Sequence, residues 1–523
     1  MTQADRVLLM VIVAIAGAVR LWGISFGLPH SETRPDERQL INLAIRIASG
    51  DSNPHYFIWP SAQMYALAAL FRGGSWLSAS INGVELSRPD LHLIARLFSA
   101  ALGTASVGLI WIIARRFELH RLASAAALFL ALAYLHVRDS HFGTLDVPMT
   151  FAVLAAFVLL PMPESNVRRL ALYGLVAGLA TSVKYNAAVL ALPAIWLVIR
   201  DALILRQNGL RPLAHLAAVA LAFVGGFLIG TPYAVLDPDA FVAGLTALRR
   251  HIADGHVHGG QVLAVPDAGR YYLSVVLPAA VGWPLFTAGM TGLALLVIRR
   301  PREGIATVIV PLVSLTIAAT GQTAFARYVI PVIPFLCLGA AEVVSAAAAR
   351  LNAGGLMRQV VTLVLPLALI FPSAWTVVWL DLLLARRDNR LVATEWIEKN
   401  IPAGASIAQT GSIYGRLQLP VGRYAEWSWD ERAEQFVREG RPQEAGPDVL
   451  VVQNSPLTLY SPVPASLKSV VRSSYLLVQS LRTGIAAVPE QYFDPADAFY
   501  VPLVRVDGIR RPGPDVLVYR RRE

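Results

Sequence analysis

Long apolar runs recur along the chain, and they constrain its fold more than any other feature. Several of them approach or exceed the roughly 18 residues that cross a bilayer as a helix. A cleaved signal peptide would explain only the first run, so we interpret that run as a retained helix. The composition agrees, because 55% of the 523 residues are hydrophobic and 15% are charged, whereas soluble domains carry about a quarter charged residues. The solvent for most of the chain is therefore lipid.

We predict about eleven transmembrane helices (eleven to thirteen), with the N-terminus inside. The predicted spans are Val7–Gly27, Leu91–Ala114, Leu122–Val137, Val147–Leu160, Leu170–Ser182, Ala187–Ile199, Leu213–Gly230, Tyr271–Ile298, Ile305–Thr320, Tyr328–Ala348 and Val360–Leu380. With this threading the arginine clusters of the short connections, such as Arg115-Arg116 and Arg299-Arg300, fall on the inner side, as the positive-inside rule requires. The formal charge of +10 is therefore a topology signal and does not indicate nucleic-acid binding.

We predict two parts of the chain outside the membrane, a first external loop and a C-terminal domain. Ser61–Leu77 is apolar but would reverse the arginine pattern if it crossed the membrane, so we interpret it as an interfacial helix within a first external loop over residues 28–90. Residues 1–385 then form the transmembrane domain. Residues 386–523 carry charges, prolines and short β-rich runs such as Val449–Val452, which predict a small α/β domain. Because eleven spans that start from the inner side end on the outer side, we expect this C-terminal domain to lie outside.

Ionisable residues gather near the outer ends of the predicted spans. They are Asp36, Glu37, Asp146, Lys184, His256, His258 and Arg327. Charges at a membrane edge are costly and indicate function by default. A carboxylate such as Asp36 could take a proton from an attacking hydroxyl, and Lys184 and Arg327 could hold an anionic phosphate. The pattern is typical of a site where a lipid phosphate leaves and a hydroxyl attacks.

Structural alternatives stand beside these interpretations. Asp36 and Glu37 could simply begin a helix, and Asp146 could cap one. Lys184 could extend to the interface without a ligand, and Arg327 could pair with a carboxylate for structural reasons.

The remaining candidates are cavity or loop residues, and their separate roles stay open: Arg138, Asp139, His141, Tyr185, His256, His258 and Tyr328. The two loop histidines could bind a metal, although a loop that orders over substrate fits them better. The single cysteine, Cys337, excludes an internal disulfide and a multi-cysteine metal cluster.

Six strings, taken in order, carry a resemblance to a known family. They are Pro35-Asp36-Glu37, the run from His141 to Phe151 around Asp146, the run from Gly178 to Tyr185 around Lys184, the run from Thr231 to Pro238, the run from Ala326 to Pro334 around Arg327, and the run from Arg387 to Pro402. The chain resembles bacterial members of the dolichyl-phosphate-mannose protein mannosyltransferase superfamily, which includes the lipid A aminoarabinose transferases, all of the GT-C fold.

The resemblance implies a polyprenyl-phosphate-linked sugar donor and an inverting transfer. By position it makes Asp36 the general base and Glu37 its neighbour, Asp146 the second acidic residue, and Lys184 and Arg327 the residues that face the carrier phosphate. The acceptor hydroxyl, on a protein, lipid or glycan, is left open.

We therefore expect a glycosyltransferase in the bacterial inner membrane, with its site and its C-terminal domain outside. No cofactor is required by this chemistry, and a divalent metal could bind but is not expected. One alternative is a transporter or flippase for a lipid-linked sugar, which would be expected to show inverted repeats with interrupted helices. A second is a non-catalytic carbohydrate-binding membrane protein, with the C-terminal part of the chain as its binding module.

Overall fold

A computed structural model describes residues 3–117, 123–160, 166–204, 210–258, 261–265, 267–351, 355–484 and 491–522. The helices are α1 (Gln3–Leu21), α2 (Pro35–Ala48), α3 (Ala62–Asn82), α4 (Arg88–Arg116), α5 (Ala123–Ala131), α6 (Tyr134–Ser140), α7 (Asp146–Leu159), α8 (Val167–Val183), α9 (Ala191–Ile204), α10 (Arg211–Gly230), α11 (Tyr233–Leu236), α12 (Pro238–Asp254), α13 (Ala268–Tyr271), α14 (Leu277–Val281), α15 (Trp283–Arg299), α16 (Pro301–Thr320), α17 (Ile333–Arg350), α18 (Leu356–Leu384), α19 (Asn389–Asn400) and α20 (Ala465–Ser474). The strands are β1 (His256–His258), β2 (Gln261–Leu263), β3 (Ser406–Gln409), β4 (Ala425–Asp430), β5 (Gln435–Arg438), β6 (Arg441–Pro442), β7 (Val449–Asn454), β8 (Tyr475–Leu481) and β9 (Asp515–Arg521).

The chain divides into two compact units. The first contains residues 1–22, 39–256 and 264–378, and the second contains residues 23–38, 257–263 and 379–523. The sequence-based boundary after residue 385 stays a prediction.

The first unit is a helical membrane domain, as predicted. Among the described residues, six helices are long and apolar enough to cross a membrane, or seven if a bent pair is counted as one span. The apolar α7 is shorter, and α3, which covers the predicted interfacial segment Ser61–Leu77, is not among the six.

Small residues allow the closest helix contacts in this unit. A Cβ atom on Gly226 of α10 would lie 2.0 Å from the carbonyl oxygen of Leu175 on α8, and one on Gly292 of α15 would lie 1.7 Å from that of Gly339 on α17. Glycine at these positions lets the backbones approach closely, which is how membrane helices gain van der Waals contact.

Two predicted spans are interrupted. The span Leu122–Val137 breaks between α5 and α6, where the guanidinium of Arg20 donates to the carbonyl oxygens of Leu130 (3.2 Å) and Ala131 (3.0 Å). The span Tyr271–Ile298 bends by 110° between α14 and α15, because Gly282 adopts a φ of +81° at the junction.

The second unit contains the predicted C-terminal α/β domain. Its sheet has the strand order β6-β5-β4-β3-β7-β9-β8, with β3 parallel to β4 and to β7 and the other pairs antiparallel. Helix α19 packs with the face that contains Val449 and Val451, and α20 packs with the face that contains Leu450 and Val452. Burial on both faces explains why β7 is a continuous apolar run.

Candidate active site

Asp146 occupies the first turn of α7, and only 2% of its side chain is exposed. It does not cap its own helix, since the residue in the cap position is Leu145. The carboxylate is instead bonded to the Nζ of Lys184, and its Oδ2 lies 3.7 Å from the Nε of Arg327. The first turn of a helix favours a negative charge, so the N-terminal end of α7 is a suitable place for an acidic side chain.

Local backbone structure directs the side chains of Lys184 and Arg327 toward Asp146. Lys184 is an extended residue, with φ −154° and ψ 131°, between α8 and the 3₁₀ turn Tyr185–Leu190. Arg327 lies in a second 3₁₀ turn, Ala326–Val332. These breaks turn both side chains out of their helices and toward Asp146.

Aromatic rings line the same cluster. The guanidinium carbon of Arg327 lies 3.7 Å from the ring centroid of Phe325, and the Nζ of Lys184 lies 5.0 Å from that of Tyr328. Ring faces attract cations. The predicted residue Tyr328 thus joins the cluster, together with Phe325, which no sequence pattern marks.

The cluster of Asp146, Lys184 and Arg327 contains two positive charges and one negative charge. Only 12% of the Lys184 side chain and 5% of the Arg327 side chain are exposed. Charges interact more strongly where water is largely excluded. Two buried cationic side chains that meet at one point are suited to bind an anion such as a phosphate.

The predicted cavity residues near Asp146 are buried and engaged locally. Arg138 and Asp139 form an ion pair of 3.0 Å on α6. The two ring nitrogens of His141 lie 3.0 Å from the carbonyl oxygens of Val137 and Trp22. These contacts tie the connection between α6 and α7 to its surroundings.

The structure describes the side chain of Tyr185 but not those of the loop histidines. The hydroxyl of Tyr185 donates to the carbonyl oxygen of Phe57 at 3.0 Å. His256 and His258 belong to β1, but their side chains lie outside the described part of the chain, so their role stays a prediction.

Asp36 and Glu37 belong to the second unit, in the first turn of α2. Glu37 is fully buried and accepts a hydrogen bond from the hydroxyl of Thr33 at 3.0 Å. Asp36 is half-buried. Burial raises the pKa of Tyr414, and the negative charges of Glu32 and Asp36 add to that rise. The convergence of these acids with Asp146 stays a prediction.

No group of three His, Cys, Asp or Glu side chains that could hold a metal ion occurs in the described part of the chain. The expectation that no metal is needed is left as a prediction.

A comparison with known protein families matches one part of the chain. Residues 83–229, which include Asp146 and Lys184, match the family described as dolichyl-phosphate-mannose-protein mannosyltransferase. No curated protein sequence matches the chain.

Two solved structures of one protein, ArnT, show the same fold. ArnT from Cupriavidus metallidurans bound to undecaprenyl phosphate aligns with a TM-score of 0.54 and 16% identity, over 99% of this chain and 98% of that one. Its apo state aligns with a TM-score of 0.52 and 16% identity, over the same shares of both chains. The Archaeoglobus fulgidus oligosaccharyltransferase aligns with a TM-score of 0.48 and 13% identity, over 78% of this chain, which spans only 60% of the archaeal protein.

The apolar helices and the fold define a multi-pass membrane protein with the same fold as ArnT. The family match over residues 83–229 confirms the resemblance predicted from the sequence, and the structural matches show that the chain shares the GT-C fold.

Proposed function

We propose that the protein transfers a sugar from a polyprenyl-phosphate carrier to a hydroxyl acceptor, with inversion at the anomeric carbon. The cluster of Asp146, Lys184 and Arg327 carries this proposal, because three distant segments bring two cations to one buried carboxylate. The fold shared with an ArnT that is bound to undecaprenyl phosphate supports a lipid phosphate as the anion.

In the proposed reaction the acceptor oxygen attacks the anomeric carbon in line with the departing phosphate. The bond between that carbon and the phosphate oxygen breaks, and its electron pair remains on the phosphate. Lys184 and Arg327 stabilise this charge, which is the kind of preorganised electrostatic assistance that usually contributes most to catalysis. Asp36 accepts the acceptor proton as general base. Because the phosphate is already ionised, it needs no protonation to leave.

We place the reaction on the outer face of a bacterial inner membrane, with the C-terminal domain on the same side. The arginine-rich connections support this orientation. In the structure some of these arginines pair with buried acids, as in Arg302 with Asp201 at 2.9 Å and Arg299 with Glu342 at 2.8 Å. The remaining basic residues of the connections give the charge bias that retains loops inside.

The direct test is turnover of polyprenyl-phosphate sugars by the purified protein in the presence of a chelator. A panel of hexose, pentose and amino-sugar donors identifies the sugar, and release of polyprenyl phosphate reports the reaction. We expect Asp36→Asn to abolish turnover while the protein stays folded. Asp51→Asn is the matched control, since Asp51 also follows α1 outside the predicted membrane and 42% of its side chain is exposed.

Two results would contradict the proposal. Full turnover by Asp36→Asn would remove the assigned base. Transport of an intact donor across reconstituted vesicles without loss of its sugar would favour the transporter or flippase instead.

A further inference from the structure

The C-terminal domain and the segment that carries Asp36 belong to one compact unit, which joins residues 379–523 to residues 23–38. This segment, here called the acidic segment, ends in the first turn of α2 with Asp36 and Glu37. Its contacts with the domain suggest a role for the domain.

A buried ion pair makes the strongest of these contacts. The Nη2 of Arg34 lies 2.6 Å from the Oδ2 of Asp497, and its Nε donates to Oδ1 at 3.2 Å. Only 1% of each side chain is exposed. The carbonyl oxygen of Arg34 accepts the first helical hydrogen bond, from the N–H of Arg38 at 3.1 Å. The pair therefore holds the residue at which the acidic turn begins.

A second arginine holds the segment through its backbone. The Nη1 of Arg390 donates to the carbonyl oxygen of Glu32 at 3.1 Å. Its other nitrogens bind the carboxylate of Asp388, with Nη2 to Oδ2 at 2.7 Å and Nε to Oδ1 at 2.9 Å. The next residue, Asn389, is fixed in turn, since its N–H donates to the carbonyl oxygen of Pro512 at 2.8 Å.

Further contacts hold the start of the segment. The Nε2 of His30 lies 2.8 Å from the carbonyl oxygen of Arg416. The rings of Phe26 and Phe499 meet edge to face, with centroids 5.8 Å apart. Gly27 has a φ of +74°, and a Cβ atom there would lie 2.5 Å from the Cγ2 of Thr33.

The anchored backbone of residues 32–34 is linked to the side chain of Glu37. Thr33 lies between the two anchored residues Glu32 and Arg34, and its hydroxyl donates to the Oε2 of Glu37 at 3.0 Å. The domain thus determines the position of the turn that carries Asp36, as well as the orientation of its neighbour.

We propose that the C-terminal domain positions the acidic turn for catalysis, with Arg34, Asp497 and Arg390 as positioning residues. This inference rests on the proposed function, in which Asp36 is the base. A base must be held within hydrogen-bond reach of the proton it removes, and a displacement of 1 Å can cost about a hundredfold in rate.

The test uses the full-length protein in lipid nanodiscs, with kinetics and hydrogen–deuterium exchange. Asp497→Asn keeps the size of the side chain but removes its charge. We expect kcat to fall by about a hundredfold with KM for the donor changed by less than about threefold, because the carrier phosphate is bound elsewhere. Exchange should increase in residues 27–38 and stay unchanged in α7 and α8.

The double variant Arg34→Gln/Asp497→Asn separates positioning from general damage. If the two side chains act as one unit, the double variant loses no more kcat than either single variant. Asp507→Asn is the matched control, since Asp507 pairs with Arg505 in the same domain but 42% of its side chain is exposed. It should behave as the parent protein does.

Failure of the inference and failure of the proposed function give different results. If Asp36→Asn is inactive while Asp497→Asn keeps the parent kcat, the positioning role is wrong and the proposed base stands. If Asp36→Asn is active, the proposed function is wrong. Additive losses in the double variant, or a fall in kcat without increased exchange in residues 27–38, would also overturn the inference.

Discussion

Replacing Lys184 with methionine tests whether the Asp146 cluster binds the carrier phosphate. Methionine keeps most of the length of the side chain and removes its charge. Asp146 retains Arg327 at 3.7 Å, so the carboxylate is not left without a cationic neighbour. We therefore expect the protein to fold, and the main loss to fall on the binding of an anion.

The expected loss of affinity for the phosphate follows from the burial of the cluster. With 12% of the Lys184 side chain exposed, its bond to a phosphate is only weakly screened, and a hydrogen bond to a charged group contributes about 1.5–3 kcal/mol. At about 1.4 kcal/mol per factor of ten, the dissociation constant for polyprenyl phosphate should rise by about 10- to 150-fold.

Equilibrium binding of polyprenyl phosphate to the protein in nanodiscs measures this loss. The chain has only three lysines, and Lys399, with 70% of its side chain exposed on α19, supplies the control Lys399→Met. An affinity of Lys184→Met within about a factor of two of the parent protein would refute the assignment of this cluster to the phosphate.

Two further predictions concern stability. Burial, with a smaller effect from Arg390, lowers the pKa of His30 from 6.5 to about 4. Between these two pH values the unfolded chain binds a proton at His30 and the native state does not. The free energy of unfolding therefore falls by about 3 kcal/mol as the pH drops from about 6.5 to 4. Thermal unfolding of His30→Gln should show a smaller acid-side loss than the parent protein, and equal losses would contradict this cause. Gly226→Ala should destabilise the protein by about 1–3 kcal/mol, since its Cβ would lie 2.0 Å from a carbonyl oxygen of α8. Gly225→Ala, which has nothing within 4 Å of its Cβ, should have little effect; equal thermal stability of the two variants would exclude close packing as the reason for glycine.

The cluster in the first unit could be predicted because its members stand out against their surroundings. Asp146, Lys184 and Arg327 each lie at the end of an apolar run, where a charge is costly without a partner or a function. The sequence could not show which groups they contact. Asp146 could equally have capped α7, and only the structure shows its carboxylate bonded to Lys184.

The break between α5 and α6 could not be predicted from the sequence, and the reason is physical. No glycine or proline marks the break between α5 and α6, which falls at Leu132-Ala133. The break leaves carbonyl groups without helical partners, and these are stabilised by Arg20, a residue more than 100 positions earlier in the chain. A local pattern cannot report a partner at that distance. The bend at Gly282 had a local signal, a glycine next to Trp283-Pro284, but the apolar run continues through it.

The anchoring of the acidic segment explains why the C-terminal domain gave so little functional signal. Arg390 lies in a string that carried the family resemblance, whereas Asp497 lies in an irregular loop with no periodicity or motif. That loop is fixed by its backbone, since the hydroxyl of Tyr460 donates to the carbonyl oxygen of Ala496 at 2.7 Å. A domain that acts by holding a segment needs correct side chains only where it contacts that segment. The sheet behind those contacts needs only to be rigid, and many sequences can satisfy that requirement.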